Sequence, residues 1–136
     1  MKKVLLAVLT LGVSSMAISQ NKSLPNPASA YARFLGYRSE IRTDSAGNQR
    51  KVCILPDGRE CDEWLFFRGS CGKEFSYCAI KGCSTENYTD SAARTGYAVC
   101  TCTDSLGQPV RIPMLDLMRQ NGDDIFSESK RKEVKK

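Results

Sequence analysis

Cys53-Ile-Leu-Pro-Asp-Gly-Arg-Glu-Cys61-Asp-Glu-Trp64-Leu-Phe-Phe-Arg-Gly69-Ser-Cys71 holds three of the chain's seven cysteines and its only tryptophan. Inside it, Pro56-Asp57-Gly58 has the composition of a tight turn, in which proline presets the first torsion and glycine tolerates the last position. Beyond the turn, Cys61, Trp64, Leu65 and Arg68 fall on one face of a helix running from Glu60, and Gly69 closes it. Upstream, residues 37–43 and 50–55 flank the turn-rich Asp44-Ser-Ala-Gly47-Asn48 and predict a β-hairpin. Before the hairpin, Asn26 is a helix cap and Pro27 suits the first helical position, where it gives up no hydrogen bond. Ala28, Tyr31, Ala32 and Leu35 then recur at helical spacing up to Gly36. The unit reads helix, hairpin, helix.

The pattern recurs downstream. Shifted by 46 positions, Tyr31 meets Tyr77, Gly36 meets Gly82, Glu40 meets Glu86, and residues 43–46 meet the identical residues 89–92. One insertion later, Val52-Cys53 meets Val99-Cys100. Two short polar hairpins of similar composition could converge this far, but the matches include turn residues, which favours an internal duplication. The segment Pro113-Met-Leu-Asp-Leu-Met118, stopped at Asn121-Gly122, takes the place of the Trp64 helix. The expected fold is therefore α+β: a small disulfide-stabilised domain of two helix–β-hairpin–helix units in tandem, residues 20–73 and 74–123. A signal peptide, 1–19, precedes them and a basic disordered tail, 124–136, follows.

The signal peptide is read from Lys2 and Lys3, the apolar run 4–13 and the small-residue stretch 14–19. The apolar run is shorter than the roughly 18 residues a membrane anchor needs. Cleavage there leaves 18 basic against 15 acidic side chains, and the last ten residues alone carry five basic and two acidic ones. The folded body is then neutral, which argues against a nucleic-acid partner, and the tail reads as a solvated terminus. A cleaved signal peptide with no lipoprotein cysteine implies a periplasmic or secreted protein without a transmembrane segment.

In an exported chain, seven cysteines point to disulfides. A metal is the alternative reading of Cys100-Thr-Cys102 and Cys78-x4-Cys83, but the chain has no histidine and neither spacing suits structural zinc. We expect neither metal nor cofactor. The internal alignment supplies the pairing. Cys100 corresponds to Cys53 and Cys78 to Ala32, so the second unit keeps a bridge, Cys78–Cys100, whose first-unit counterpart has lost one end. Cys83–Cys102 replaces an apolar pair, Tyr37 and Leu55. Cys61–Cys71 closes across the Trp64 helix, and Cys53 is left as a free thiol. If it is exposed, Cys53 should link a homodimer.

Asn26-Pro27-Ala28-x-x-Tyr31 followed by Cys53-x-Leu55-Pro56-Asp57-Gly58-x-x-Cys61-x-Glu63-Trp64-x-x-Phe67-Arg68-Gly69-x-Cys71 resembles a small exported bacterial cysteine-rich domain of unknown function, whose members commonly carry a hemolysin label. The resemblance covers Asn26 to about Cys71. That family usually has cysteine directly after the tyrosine, where this chain has Ala32, and many members have a lipoprotein cysteine that is missing here.

Enzymatic chemistry finds no support in the residues. Without histidine there is no Ser-His or Cys-His nucleophile pair. Asp57, Asp62 and Glu63 could form a carboxylate pair, but a turn accounts for the first and a helix start for the other two. No apolar run after Ser19 is long enough for a pore. Peripheral membrane contact through Trp64, Phe66 and Phe67 is open, against the alternative that these rings pack between the units. The reading is a non-catalytic binding module of the bacterial cell envelope whose partner is an unknown envelope protein or surface, with loops 44–49 and 89–96 as contact surfaces. The alternative is a secreted effector, either hemolysin-like and membrane-active or protease-inhibitor-like.

Overall fold

A computed structural model describes residues 25–126. The expected signal peptide, residues 20–24 and the expected basic tail from residue 127 onward lie outside them. The chain runs α1 (Pro27–Phe34), β1 (Arg38–Thr43), β2 (Gln49–Ile54), β3 (Glu60–Asp62) and α2 (Glu63–Phe67). After a 3₁₀ turn at Lys73–Phe75 come α3 (Tyr77–Ile80), β4 (Ser84–Asp90), β5 (Thr95–Thr103), β6 (Pro109–Pro113) and α4 (Met114–Gln120). Two three-stranded antiparallel sheets result, β1-β2-β3 and β4-β5-β6.

This overturns the expected helix–hairpin–helix units. Each unit holds a third strand, and its closing helix is short. The cause is the turn at Pro56-Asp57-Gly58. Gly58 N–H donates to Leu55 O (2.9 Å) and Leu55 N–H to Arg59 O (2.8 Å), with Gly58 at φ 86°. That geometry returns the chain antiparallel to β2, so Cys61 lies opposite Cys53 and Asp62 opposite Val52. Cys61 therefore sits on a strand, not on the face of a helix. The helix starts only after Asp62, whose carboxylate accepts from Trp64 N–H (2.9 Å) and Leu65 N–H (3.2 Å). The second unit does the same around Asp104, and β6 lies against β5 with Ile112 opposite Cys100.

One core serves both sheets. Tyr31 lies at its centre, with ring centroids 5.2 Å from Phe66 and 5.5 Å from Phe67, and its hydroxyl accepts from the backbone N–H of Tyr77 at 2.8 Å. Buried cysteines Cys53, Cys61, Cys78 and Cys100 belong to the same cluster, together with Met114 and Met118. Disulfides join Cys61 to Cys71, Cys78 to Cys100 and Cys83 to Cys102, closing spans of 10, 22 and 19 residues. Bridges over such spans contribute about 3 kcal/mol each by constraining the unfolded chain.

Candidate functional site

The residues of the sequence motif divide sharply by what they do. Asn26 caps α1, its side chain accepting from Ala28 N–H (2.9 Å) and Ser29 N–H (3.4 Å), with Pro27 at the first helical position. Tyr31 is core; burial pushes its hydroxyl pKa well above the usual tyrosine range. Pro56, Asp57 and Gly58 build the β2–β3 turn, in which the Asp57 carboxylate accepts from Arg59 N–H (3.0 Å) and pairs with its guanidinium. Gly69 has φ 75°, and a Cβ there would meet the Ala98 Cβ, the Glu86 carbonyl and the Thr85 methyl at 3.1 Å each. It is the point where the helix of the first unit abuts the sheet of the second. These residues form scaffold. Trp64 is the exception.

The three carboxylates weighed as a catalytic cluster are engaged separately. Asp57 serves its turn and Asp62 caps α2. Glu63 is 1% exposed and accepts from the hydroxyls of Ser29 (2.5 Å) and Ser39, which ties α2 to α1 and β1. In loop 44–49, proposed as a contact surface, the Asp44 carboxylate is taken up by Ala46 N–H, Asn48 N–H and the Asn48 amide. In loop 89–96, the Asp90 carboxylate accepts from Ala92 N–H at 2.8 Å.

Cys53 is the free thiol, and it is fully buried. The expected homodimer depends on an exposed Cys53, and that condition is not met, because the thiol lies inside the core. Burial, with the Glu63 carboxylate nearby, pushes its pKa from 9.0 to about 11. Phe66 is also buried, so the proposed membrane face of Trp64, Phe66 and Phe67 does not exist as a set. Phe66 and Phe67 flank Tyr31, while Trp64 remains 38% exposed.

What the fold does expose is an apolar groove. A depression of about 240 Å³ opens between α2, β5 and the start of α4. Buried Ala98 and Met114 line it together with Phe67, Tyr97 and Leu115, while Asp116 and Arg119 line it as an ion pair at 2.9 Å. Tyr97 is 43% exposed and Leu115 38%. The aromatic surface continues in two directions from the groove. Trp64 packs edge-on against Phe67 at 6.0 Å with the Arg68 guanidinium 5.0 Å from its ring, and Tyr97 pairs across the strands with Tyr88 at 5.4 Å. Beyond Leu115 and Arg119 lies a second hollow of about 290 Å³, lined by Ile125 and Phe126 among others.

Most of this surface belongs to the second unit, and the motif reading missed it. Tyr97 and Leu115 stand 18 positions apart on elements that come together only because α4 folds back beside β5. Trp64 was the one signal available in the sequence. An apolar ring beside a charged residue on a short helix must either pack or remain half exposed.

Fold and surface together define a small, disulfide-rich, two-sheet domain with a half-exposed aromatic groove. Residues 23–70 match a family model described as "Domain of unknown function (DUF333)". The chain is also 39% identical over 82 residues to an uncharacterized protein of Archaeoglobus fulgidus, an alignment that covers 60% of this chain and 37% of that protein. The likeness thus reaches an archaeal protein, and the chain spans well under half of that relative's length. No solved structure matches. Among the described residues no helix is long and apolar enough to cross a membrane.

Proposed function

We propose that this chain is an exported, non-catalytic binding module of the cell envelope that takes an apolar segment of a partner protein into the groove between α2, β5 and α4. The observation that carries this reading is the groove itself. Protein interfaces favour exposed aromatic and arginine side chains around an apolar depression, and Trp64, Tyr88, Tyr97, Arg68 and Arg119 supply them here. Export fits three disulfides in a chain that opens with a signal-peptide pattern. The equal order of helices and strands in the two halves supports a duplicated ancestral unit, and both halves contribute to the groove, the first through Phe67 and the second through Tyr97 and Leu115.

The test uses Leu115→Glu. The position is 38% exposed, lies in the first turn of α4 and stands four residues before Arg119, so a carboxylate there suits the helix and leaves the fold intact. Wild-type protein immobilised against an envelope extract should retain a partner that the variant loses. Titration with that partner should shift the emission of Trp64, the only tryptophan. Equal retention by both proteins would refute the groove as the site. A second reading is favoured by Trp64 and Leu65, exposed side by side at 38% and 47% on α2: insertion into a membrane surface, as the hemolysin label of the resembling family suggests. Dye release from liposomes by purified protein would select that reading. Inhibition across a protease panel would instead select the inhibitor-like one.

A further inference from the structure

Cys53 is not an isolated thiol. In the β2–β3 ladder it stands directly opposite Cys61, one end of the Cys61–Cys71 disulfide. Directly opposed residues of antiparallel strands point to the same face with Cα atoms about 4.5–5.5 Å apart, inside the range a disulfide spans. Both residues are buried in the same core cluster, whereas Cys71 is only partly buried. The second sheet shows what is unusual here. There the equivalent strand residue, Cys100, is bonded to Cys78 on α3, and the residue opposite it is Ile112. In the first sheet, Ala32 holds the place of the helix cysteine by the internal alignment, so a free thiol faces a sulfur–sulfur bond.

We propose that Cys53 and the Cys61–Cys71 bridge form a built-in thiol–disulfide exchange switch. Local opening at the β2–β3 edge lets hydroxide take the Cys53 proton, and the thiolate electron pair attacks Cys61 Sγ. A Cys53–Cys61 bond forms, and the Cys61–Cys71 bond breaks with its electron pair passing to Cys71 Sγ, which then takes up a proton. One disulfide and one thiol enter and one of each leave, so no oxidant or reductant is consumed. Direction follows from burial: the attacking and attacked sulfurs share the core, and the leaving sulfur lies toward water, where its thiolate is solvated. The exchange converts a staple across α2 into a staple between β2 and β3. It removes the covalent tie at the Cys71 end of the segment from Glu63, which carries Trp64 and the Gly69 contact with the second sheet and stays anchored through Glu63 and Phe66.

The groups around Cys53 keep the switch closed at neutral pH. Glu63 from α2, together with Tyr31 and Tyr37 from α1 and the turn after it, surrounds the thiol. On its own strand Lys51 is directed to Ser29, with Nζ 3.5 Å from Oγ. With the thiol pKa near 11, the reactive thiolate grows roughly tenfold with each pH unit below that value.

Native full-length protein is incubated with iodoacetamide at pH 7, 8 and 9, quenched in acid and digested without reduction for mass spectrometry. The carbamidomethyl group should appear on Cys71, together with a Cys53–Cys61 linked peptide, with a rate rising about tenfold per pH unit. A label on Cys53 with Cys61–Cys71 intact, or no label at pH 9, would overturn the proposal. An independent check is Cys71→Ser, which should fold in air with a Cys53–Cys61 disulfide and no titratable thiol. Two free thiols in that variant would refute the required geometry.

Discussion

Glu63 and Met114 occupy corresponding places, each the first residue of the helix that follows its sheet and each buried. A methionine needs no partner there. A carboxylate does, and Ser29 and Ser39 provide it. Glu63→Ala leaves both hydroxyls without their acceptor and should cost about 1–3 kcal/mol in chemical denaturation. Adding Ser29→Ala and Ser39→Ala to Glu63→Met should recover much of that loss, because a polar cluster removed whole leaves nothing unsatisfied. A second prediction at this scale concerns Ala32. Ala32→Cys should form a bridge to Cys53 with the span and placement of Cys78–Cys100, seen as a loss of two hydrogens in the intact mass and a gain of about 3 kcal/mol. It would also silence the exchange with Cys61.

The elements show where local sequence rules were sufficient and where they were not. The α1 cap, the two hairpins of the sheets and the start of α4 lie where capping, turn and spacing signals place them. Glu60–Asp62 was legible as helix by spacing, yet it is strand, because the turn before it commits the next residues to pair with β2. The turn fixes the register in which these residues take their hydrogen bonds from β2, and so tertiary context overrides the helical spacing. Gly69 is the point where the end of α2 meets the second sheet. Gly69→Ala puts a methyl 3.1 Å from Ala98 Cβ at a φ of 75° and should destabilise by more than about 1 kcal/mol in urea melts.

The whole molecule depends on sulfur and on neutral buried acids. Three bridges together supply about 9 kcal/mol, a large share of the 5–15 kcal/mol typical of a folded domain, so millimolar reductant should unfold the protein, as far-ultraviolet circular dichroism would report. Alkali should do so by another route. Cys53 titrates near 11 in the fold against 9.0 when free, and burial and the hydrogen bond to Asp123 move Tyr77 from 10.0 to about 12. Folded pKa values raised in this way favour the protonated state, so the stability they carry is complete below about pH 9 and is lost as the pH rises from 9 to 12. Thermal melts should therefore fall steadily across that interval, and Cys53→Ala should flatten the portion between pH 9 and 11.

The sequence by itself carried the local grammar: which residues cap and turn and, through Ala32 set against Cys78, which cysteine stands apart from the three disulfides. Those are short-range properties, or correspondences between two stretches of the same chain, and a linear string carries them. Only the tertiary structure decided that each unit closes with a third strand, that Cys53 faces Cys61 from inside the core, and that Trp64, Tyr97 and Leu115 share one exposed surface. The reason is physical. Strand pairing and groove formation depend on which backbone groups and apolar faces remain unsatisfied after the local elements form, and residues far apart in the chain answer that jointly.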